Sequence, residues 1–241
     1  MYHEHNSADF DFPFRDSTDR SYLVASIPRS GSTLLCLGLW DTQLAGAPLE
    51  YFAEVHMQDY FSRWGRTDIQ GYVSRLLQHR TSPNGIFGVK GHHNQLRSCF
   101  FKDGIELHDC FPNLKYIYIA RQDRLRQAIS LVKAMQTNRW RSNWSEGVQD
   151  RLSYDFQEIS TRMDEMVKEE QAWQGYFLER SIEPLSIVYE SLARNYEESI
   201  RQVLSYLGVA EYKDVPIPPP SLKKQADLVT EEWYDRFLRE V

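Results

Sequence analysis

The stretch SYLVASIPRSGSTLL, residues 21–35, decides the fold of this chain. The apolar run over residues 21–27 predicts a short buried strand. A tight polar loop, PRSGST, follows it directly, and the segment that begins with LLCLGLW has helical periodicity. The order is therefore strand, loop, helix, with the loop held at the end of the strand.

The loop PRSGST carries the chemistry of an anion site. Gly31 allows the backbone to turn tightly and approach a ligand, while Ser30, Ser32 and Thr33 supply hydroxyl groups and Arg29 supplies a positive charge. The helix that begins here directs its unpaired N–H groups and the positive end of its dipole at the loop. The loop therefore predicts a site for phosphate or sulfate; the structural alternative is a Ser-rich helix cap beside an incidental arginine.

The same loop is not a Walker A motif, because it contains no Gly-Lys pair. No obvious acidic metal ligand follows a later strand either. Both features argue against magnesium-dependent ATP hydrolysis, and the sequence predicts no metal site.

Outward from the loop, strands and helices alternate. Further strands are predicted at residues 86–90, 114–120 and 184–188. Two helices are predicted within 52–79, the second with Thr67 as its N-cap, and a weak helix over 94–109. A long helix is predicted to follow residues 121–123 and to end at about 137, and further helices are predicted over 150–179, 191–206 and 231–240. This alternation predicts an α/β fold of three layers, with helices on both faces of a mostly parallel sheet of about four or five strands. Residues 1–20 are predicted to be a flexible leader, and residues 21–241 a single domain.

Composition limits the function. The chain has 241 residues, 41% of them hydrophobic, and a net charge of −6, so it suits one globular domain and is a poor candidate for nucleic-acid binding. Its three cysteines show no CxxC spacing, which argues against a disulfide framework and against zinc. The polar N-terminus is no signal peptide, and no run of about 18 apolar residues could span a membrane. These features predict a cytoplasmic protein.

A second anion site is predicted at the end of the third strand. Arg121 lies where that strand stops, and the carboxyl ends of parallel strands share one edge of a sheet, so Arg121 and Arg29 are expected at the same edge. Ser130 follows about two and a half helical turns later, so Arg121 and Ser130 could clamp one phosphate. Arg124 and Arg126 are expected to be solvated helix charges.

With these two sites, the chain resembles the family of sulfotransferases that use 3′-phosphoadenosine 5′-phosphosulfate (PAPS), and most closely its bacterial trehalose 2-sulfotransferase branch. PRSGSTLL resembles the 5′-phosphosulfate loop of that family, and Arg121 with Ser130 resembles its 3′-phosphate clamp. Further shared segments spread over most of the chain: AGAPLEYF at 45–52, PNGIFGVK at 83–90 with the later Asn94-Gln95, RQAISLVKAMQTNRW at 126–140 and KKQADLVTEEWYDRF at 223–237.

The resemblance implies a P-loop NTPase-like sulfotransferase fold, PAPS as donor without a metal, and a homodimer. It implies transfer of a sulfuryl group to a hydroxyl of a small carbohydrate, such as a trehalose-like sugar or a glycolipid headgroup. It places the general base at Glu50. The alternative is that Glu50 is only an acidic residue at the start of a helix, where it stabilises the positive end of the helix dipole. Two rival functions stay open: an inactive sulfotransferase-like protein that only binds the nucleotide, and a nucleotide kinase or NTPase with an altered loop.

Lys90-Gly91-His92 complicates the assignment of the base. It resembles the K-x-H element of eukaryotic cytosolic sulfotransferases, in which the histidine is the base and the lysine contacts the donor. Lys90 is therefore a candidate donor contact. His92 is a second candidate base, because the ordinary pKa of histidine lies near neutral pH; the alternative is a surface or capping histidine beside His93.

The acceptor site is the part that the sequence defines least. Residues 55–80 and 95–109 are expected to line it, and Trp64, Trp140 and Trp144 could stack on sugar rings, although buried packing is the commoner role of tryptophan. The pair Lys223–Lys224 could cover the donor, as the corresponding segment does in the resembling family, or be a solvated charge pair.

Overall fold

The computed structural model describes residues 4–140, 152–222 and 227–241. Four strands form one sheet in this part of the chain: β1 (Arg20–Ser26), β2 (Ile86–His92), β3 (Lys115–Ala120) and β4 (Leu185–Val188). The α-helices are α1 (Ser32–Asp41), α2 (Glu54–Trp64), α3 (Ile69–Arg80), α4 (His93–Cys99), α5 (Leu107–Cys110), α6 (Arg124–Thr137), α7 (Phe156–Glu179), α8 (Tyr189–Arg194), α9 (Tyr196–Leu207) and α10 (Leu228–Glu240). Three short 3₁₀ helices lie at Glu4–Asn6, Ala8–Phe10 and Phe101–Asp103.

The order of the strands fixes where a ligand can bind. The sheet runs β2-β1-β3-β4, and all three neighbouring pairs are parallel. The chain leaves β1 toward β2 on one side, whereas it leaves β3 toward β4 on the other. Such a reversal opens a crevice at the carboxyl ends of the two strands, which is where open α/β sheets bind ligands. The loop after β1 and the turn after β3 therefore flank the crevice.

Two apolar cores, one on each face of the sheet, make the three layers. Successive side chains of a strand point to opposite faces, so Tyr22 and Val24 face one core while Leu23 and Ala25 face the other. The first core is built mainly with α1 and α9, and the second with α2 to α7 and α10. This architecture confirms the predicted α/β fold with a parallel sheet covered on both faces.

The ends of several helices differ from the predictions for local reasons. Asp68, not Thr67, caps α3, because its Oδ1 accepts the backbone N–H of Gly71 at 2.8 Å. The weak helix expected over 94–109 is broken into three pieces, with Gly104 in the left-handed conformation at φ 67° between the second and third. The helix expected over 191–206 is two helices, α8 and α9, separated at Asn195.

Residues 4–19, within the leader predicted to be flexible, are packed against the domain. The side chain of Arg80 is completely buried, and it donates hydrogen bonds to the carbonyl oxygens of His5 and Phe10 at 2.8 and 3.0 Å. Its Nε lies 3.1 Å from Oδ1 of Asp11, which also pairs with Arg63. A buried guanidinium must be paired to offset the loss of its hydration, and here the leader supplies the partners.

We expect Arg80→Met to lower the free energy of unfolding by about 3–5 kcal/mol, because it leaves buried leader carbonyls and a carboxylate without their partner. The measurement is denaturant unfolding, with limited proteolysis of the leader as a second readout. Arg75→Met is the matched control, because Arg75 is an exposed arginine on the same helix. Equal stability of the two variants would show that the leader is not held by Arg80.

Candidate active site

The loop between β1 and α1 is shaped by two unusual backbone conformations. Gly31 has φ 88°, and a Cβ at this position would lie 2.4 Å from Cδ2 of Tyr189, so only glycine fits. Arg29 also has a positive φ, 63°, which is uncommon for a residue with a side chain. Ser30 is fully buried, and its Oγ has no hydrogen-bond partner within the described residues. A buried hydroxyl left unpaired in a tight loop is available to a ligand.

Arg29 joins the loop to the predicted phosphate clamp. Its Nε donates to Oγ of Ser130 at 2.9 Å, and its Nη1 donates to the carbonyl oxygen of Trp140 at 2.7 Å. Arg121 approaches the carbonyl oxygen of Arg29 at 3.5 Å and lies over the ring of Tyr189 at 4.7 Å. The structure thus brings Arg29, Arg121 and Ser130 together, and the two predicted anion sites are continuous.

The two arginines form a half-buried positive site. Burial, with a smaller contribution from the charge of Arg121, lowers the pKa of Arg29 to about 10. Burial also lowers the pKa of Arg121, whose Nε is buried without a hydrogen-bond partner in the described part of the chain. Both side chains stay protonated at neutral pH. Two neighbouring cations, one of them with an unsatisfied Nε donor, favour a multiply charged anion, which would form charge-assisted hydrogen bonds with them.

A second cluster links an acid, a lysine and a histidine. Nζ of Lys90 lies 2.5 Å from Oε1 of Glu50 and donates to Oγ1 of Thr33 at 3.0 Å. Nε2 of His92 lies 3.8 Å from the same Glu50 oxygen, and Gln95 donates to the other oxygen at 3.1 Å. Lys90 therefore connects this cluster to the phosphate loop through Thr33.

The strand register explains why these side chains meet. β2 pairs with β1 so that Lys90 lies opposite Val24 and His92 opposite Ser26. Residues two apart in a strand point to the same face, so Lys90 and His92 project together. The backbone N–H of Lys90 also donates to the carbonyl oxygen of Leu49 at 2.9 Å, which places Glu50 beside them.

The electrostatics of the cluster give Glu50 and His92 different protonation states. Burial would raise the pKa of Glu50, but the charges of Lys90 and His92 and hydrogen bonds from Lys90 and Gln95 hold that pKa well below its usual range. Burial lowers the pKa of His92, and the opposing effect of Glu50 is smaller. At neutral pH Glu50 is therefore ionised and His92 neutral.

The tautomer of His92 follows from its partners. Nδ1 lies 2.9 Å from the carbonyl oxygen of Ser26, which can only accept, so Nδ1 carries the proton. Nε2 is then unprotonated and faces Glu50. The indole N–H of Trp173, a residue with no exposed surface, donates to the same Ser26 carbonyl at 3.1 Å. Trp173 thus fixes the group that orients the imidazole.

All ten residues named from the sequence lie in the described part of the chain and fall into these two joined clusters. They are Arg29, Ser30, Gly31, Ser32, Thr33, Glu50, Lys90, His92, Arg121 and Ser130. Trp144 and Lys223–Lys224 lie outside the described residues. Trp64 packs among aromatic side chains of the core. This is the packing role given above as the alternative to stacking on a sugar ring.

Several neighbours of the site were not found from the sequence. Gln95 has a signal, since it lies three residues after the N-cap His92 and completes a capping box with it. Tyr189 and Trp173 have none, because their contacts with the loop and with Ser26 join segments far apart in the chain. Arg124 and Arg126, expected to be solvated, pair with Glu170 at 2.6 Å and Glu231 at 2.7 Å.

Within residues 4–140, 152–222 and 227–241, no group of three or more histidine, cysteine, aspartate or glutamate side chains could hold a metal ion. In the same ranges, no helix is both long enough and apolar enough to cross a membrane.

A solved structure has the same fold. The sulfotransferase domain from the Synechococcus PCC 7002 olefin synthase superposes with a TM-score of 0.54, covering 94% of this chain and 97% of that domain. The two sequences are 15% identical, so this likeness concerns the fold alone.

Two curated relatives extend the comparison to sequence. The trehalose 2-sulfotransferase of Mycobacterium tuberculosis is 29% identical over 258 residues, covering 92% of this chain and 95% of the relative. That of Mycolicibacterium smegmatis is 27% identical, covering 91% of this chain and 95% of the relative. The model of the Stf0 sulphotransferase family matches residues 21–240, which is nearly the whole chain. The chain therefore belongs to the Stf0 sulphotransferase family and is a sulfotransferase.

Proposed function

We propose that this sulfotransferase moves a sulfuryl group from PAPS to a hydroxyl of a small carbohydrate, such as a trehalose-like sugar or a glycolipid headgroup. The observation that carries the proposal is the hydrogen bond from Lys90 to Thr33, which joins the half-buried site of Arg29 and Arg121 to an acid–histidine cluster. The two trehalose 2-sulfotransferases among the relatives support a sugar hydroxyl as the acceptor.

The residues present fit the donor. The N–H groups of the loop and the hydroxyls of Ser30, Ser32 and Thr33 would hold its 5′-phosphosulfate, and Arg121 with Ser130 would hold its 3′-phosphate. The orphaned Oγ of Ser30 and Nε of Arg121 are the polar atoms that such phosphates would satisfy. Arg29 contacts Ser130 and belongs to the loop, so it stands between the two phosphate positions. PAPS supplies an activated sulfuryl group.

The transfer forms one S–O bond and breaks another. The acceptor oxygen bonds to sulfur while the bond from sulfur to the bridging phosphate oxygen breaks, and adenosine 3′,5′-bisphosphate leaves with that electron pair. Lys90 and the loop donors would stabilise the negative charge that develops on the leaving oxygen. A nearby base must take the proton of the hydroxyl, which is a poor nucleophile at neutral pH.

Glu50 and His92 are the two candidate bases, and the geometry favours His92. Both oxygens of Glu50 are engaged, one by Lys90 and the other by Gln95, and its lowered pKa makes it a weak proton acceptor. The unprotonated Nε2 of His92 lies beside this carboxylate, 3.8 Å from Oε1 of Glu50. We infer that Nε2 takes the proton, while Glu50 holds Lys90 in place and stabilises the imidazolium that forms.

The donor is tested by isothermal titration calorimetry with adenosine 3′,5′-bisphosphate, 5′-AMP, and ATP with magnesium. We expect the bisphosphate to bind at least about tenfold more tightly than AMP, a difference of about 1.4 kcal/mol. Arg121→Gln should remove this preference, because it removes the clamp for the 3′-phosphate. Arg124→Gln, which changes an arginine three residues away that pairs with Glu170, should keep it.

A preference for ATP with magnesium would contradict the assignment of the donor and favour a kinase. Bisphosphate binding without transfer to any sugar would favour an inactive nucleotide-binding protein.

The base is tested by the pH dependence of sulfation, followed with ³⁵S-labelled PAPS and trehalose as the first acceptor of a panel. The rate should fall as the pH drops through the lowered pKa of His92, because protonation of Nε2 removes the base. His92→Gln should lower the rate about 10²–10⁴-fold. It should also abolish the fall in rate at low pH, which is the acid limb of the profile. Glu50→Gln should move the limb to lower pH, since the Glu50 charge raises the pKa of His92.

The opposite pattern, in which Glu50→Gln abolishes the acid limb and His92→Gln retains it, would identify Glu50 as the base.

A further inference from the structure

Gln95 contacts both candidate bases with one side chain. Its Oε1 accepts the backbone N–H of His92 at 3.0 Å, and its Nε2 donates to Oε2 of Glu50 at 3.1 Å. Gln95 is the third residue of α4, which begins directly after β2 ends at His92. The segment before Glu50 pairs with β2 through Leu49 and Val89. One half-buried amide therefore bridges the acid and the strand that carries the histidine.

The orientation of this amide is determined by its partners. A backbone N–H can only donate, so Oε1 must face His92, and the N–H groups of the amide are left to face Glu50. An ionised carboxylate can only accept, which makes the second contact a charge-assisted hydrogen bond. A glutamate at position 95 would instead place two carboxylates against each other. The position thus requires a neutral side chain that both donates and accepts.

The contact acts on the reaction through Glu50. The other carboxylate oxygen of Glu50 lies 2.5 Å from Nζ of Lys90, which donates to Thr33 of the phosphate loop. The hydrogen bond from Gln95 is one of the effects that hold the pKa of Glu50 well below its usual range. With one oxygen on each partner, the carboxylate has a single arrangement. In that arrangement it is ionised, keeps Lys90 beside the loop and lies 3.8 Å from Nε2 of His92.

We propose that Gln95 is a positioning residue for sulfuryl transfer, and that its neutral amide fixes Glu50 on Lys90 and the backbone of His92 beside it. The proposal rests on the function proposed above, because it takes the roles of Glu50 and His92 from there. Gln95 takes no proton in the reaction. It keeps the acid ionised, so that the histidine is left to act as the base.

The first test replaces the amide by a carboxylate. In Gln95→Glu a second carboxylate meets that of Glu50, and like charges this close raise the apparent pKa of the pair. Below that pKa a shared proton takes the place of the lost N–H, and above it the two charges repel. A raised pKa in the folded state means stability that is lost as the pH rises. Other titratable groups around this contact are Lys90 and His92 on β2, His93 and Arg97 on α4, and Glu169 on α7.

The stability of Gln95→Glu is measured by urea unfolding at pH 5 and at pH 8. Relative to the unmodified protein, we expect a small loss at pH 5 and a larger one at pH 8. Asn94→Asp is the matched control, because it makes the same change from amide to carboxylate at the exposed preceding position; it should show no such growth. Glu50→Gln/Gln95→Glu reverses the contact, with the amide at position 50, and should recover most of the loss at pH 8.

The second test measures the reaction. Gln95→Ala leaves one oxygen of Glu50 without its donor, and we expect kcat for sulfation to fall about tenfold, in keeping with the loss of a hydrogen bond to a charged group. The affinity for adenosine 3′,5′-bisphosphate, measured by calorimetry, should stay that of the unmodified protein. In Gln95→Glu, kcat should fall further as the pH rises toward 8, a range in which the neutral His92 of the unmodified protein keeps its rate.

Equal losses of stability at pH 5 and pH 8, the same pH-dependent loss in Asn94→Asp, a double variant no more stable than Gln95→Glu at pH 8, or an unchanged kcat in Gln95→Ala would each overturn the proposal. A bisphosphate that fails to bind the unmodified protein would count against the donor assignment instead. The unfolding measurements need neither donor nor acceptor, so they decide the contact of Gln95 with Glu50 separately from the proposed function.

Discussion

The ion pair between Lys90 and Glu50 is the interaction on which the site depends. Lys90 is only 3% exposed, and a buried ammonium is tolerated only where a counter-charge and further hydrogen bonds offset the loss of water. Glu50 supplies the charge and Thr33 accepts a second hydrogen bond. Three segments distant in sequence, namely the phosphate loop, the segment that pairs with β2 and the end of β2 itself, are thereby held in one arrangement. Removing either partner leaves the other charge buried and unpaired, so the pair fixes geometry as well as chemistry.

The two halves of the site differ in how completely their polar atoms are paired. Glu50, Lys90 and Nδ1 of His92 have their partners already, so a cluster of this kind needs no reorganisation when charge develops. On the anion side, Oγ of Ser30 and Nε of Arg121 are buried without partners in the described chain. Buried polar atoms are seldom left unpaired in folded proteins. Under the proposed function, the two unpaired atoms of the loop and of Arg121 are where the donor phosphates would bind, and the paired cluster is where the transfer would take place.

The fold could be predicted because buried parallel strands appear as continuous apolar runs, and all four strands agree with such runs to within two residues. That Arg121 lies near Arg29 could be predicted because residues at the carboxyl ends of parallel strands converge. What the sequence could not show are contacts between segments with no shared pattern, such as that of Trp173 with Ser26, 147 residues apart. Nor could it show that Arg80 binds the leader, since a buried arginine at the end of a helix looks like an ordinary last-turn cation.

The donor and acceptor halves also differ in how strongly the sequence constrains them. The donor loop has positive φ angles at Arg29 and Gly31 and close contact with Tyr189, so few sequences can build it. The stretch 95–109, which was expected to help line the acceptor site, forms α4 and the short helices after it. Arg97 and Lys102 in this stretch are exposed, and exposed positions of this kind can change without disturbing the sheet. If residues 55–80 and 95–109 line the acceptor site as proposed, acceptor choice is expected to vary there while the loop after β1 stays fixed, which is how one fold serves several substrates.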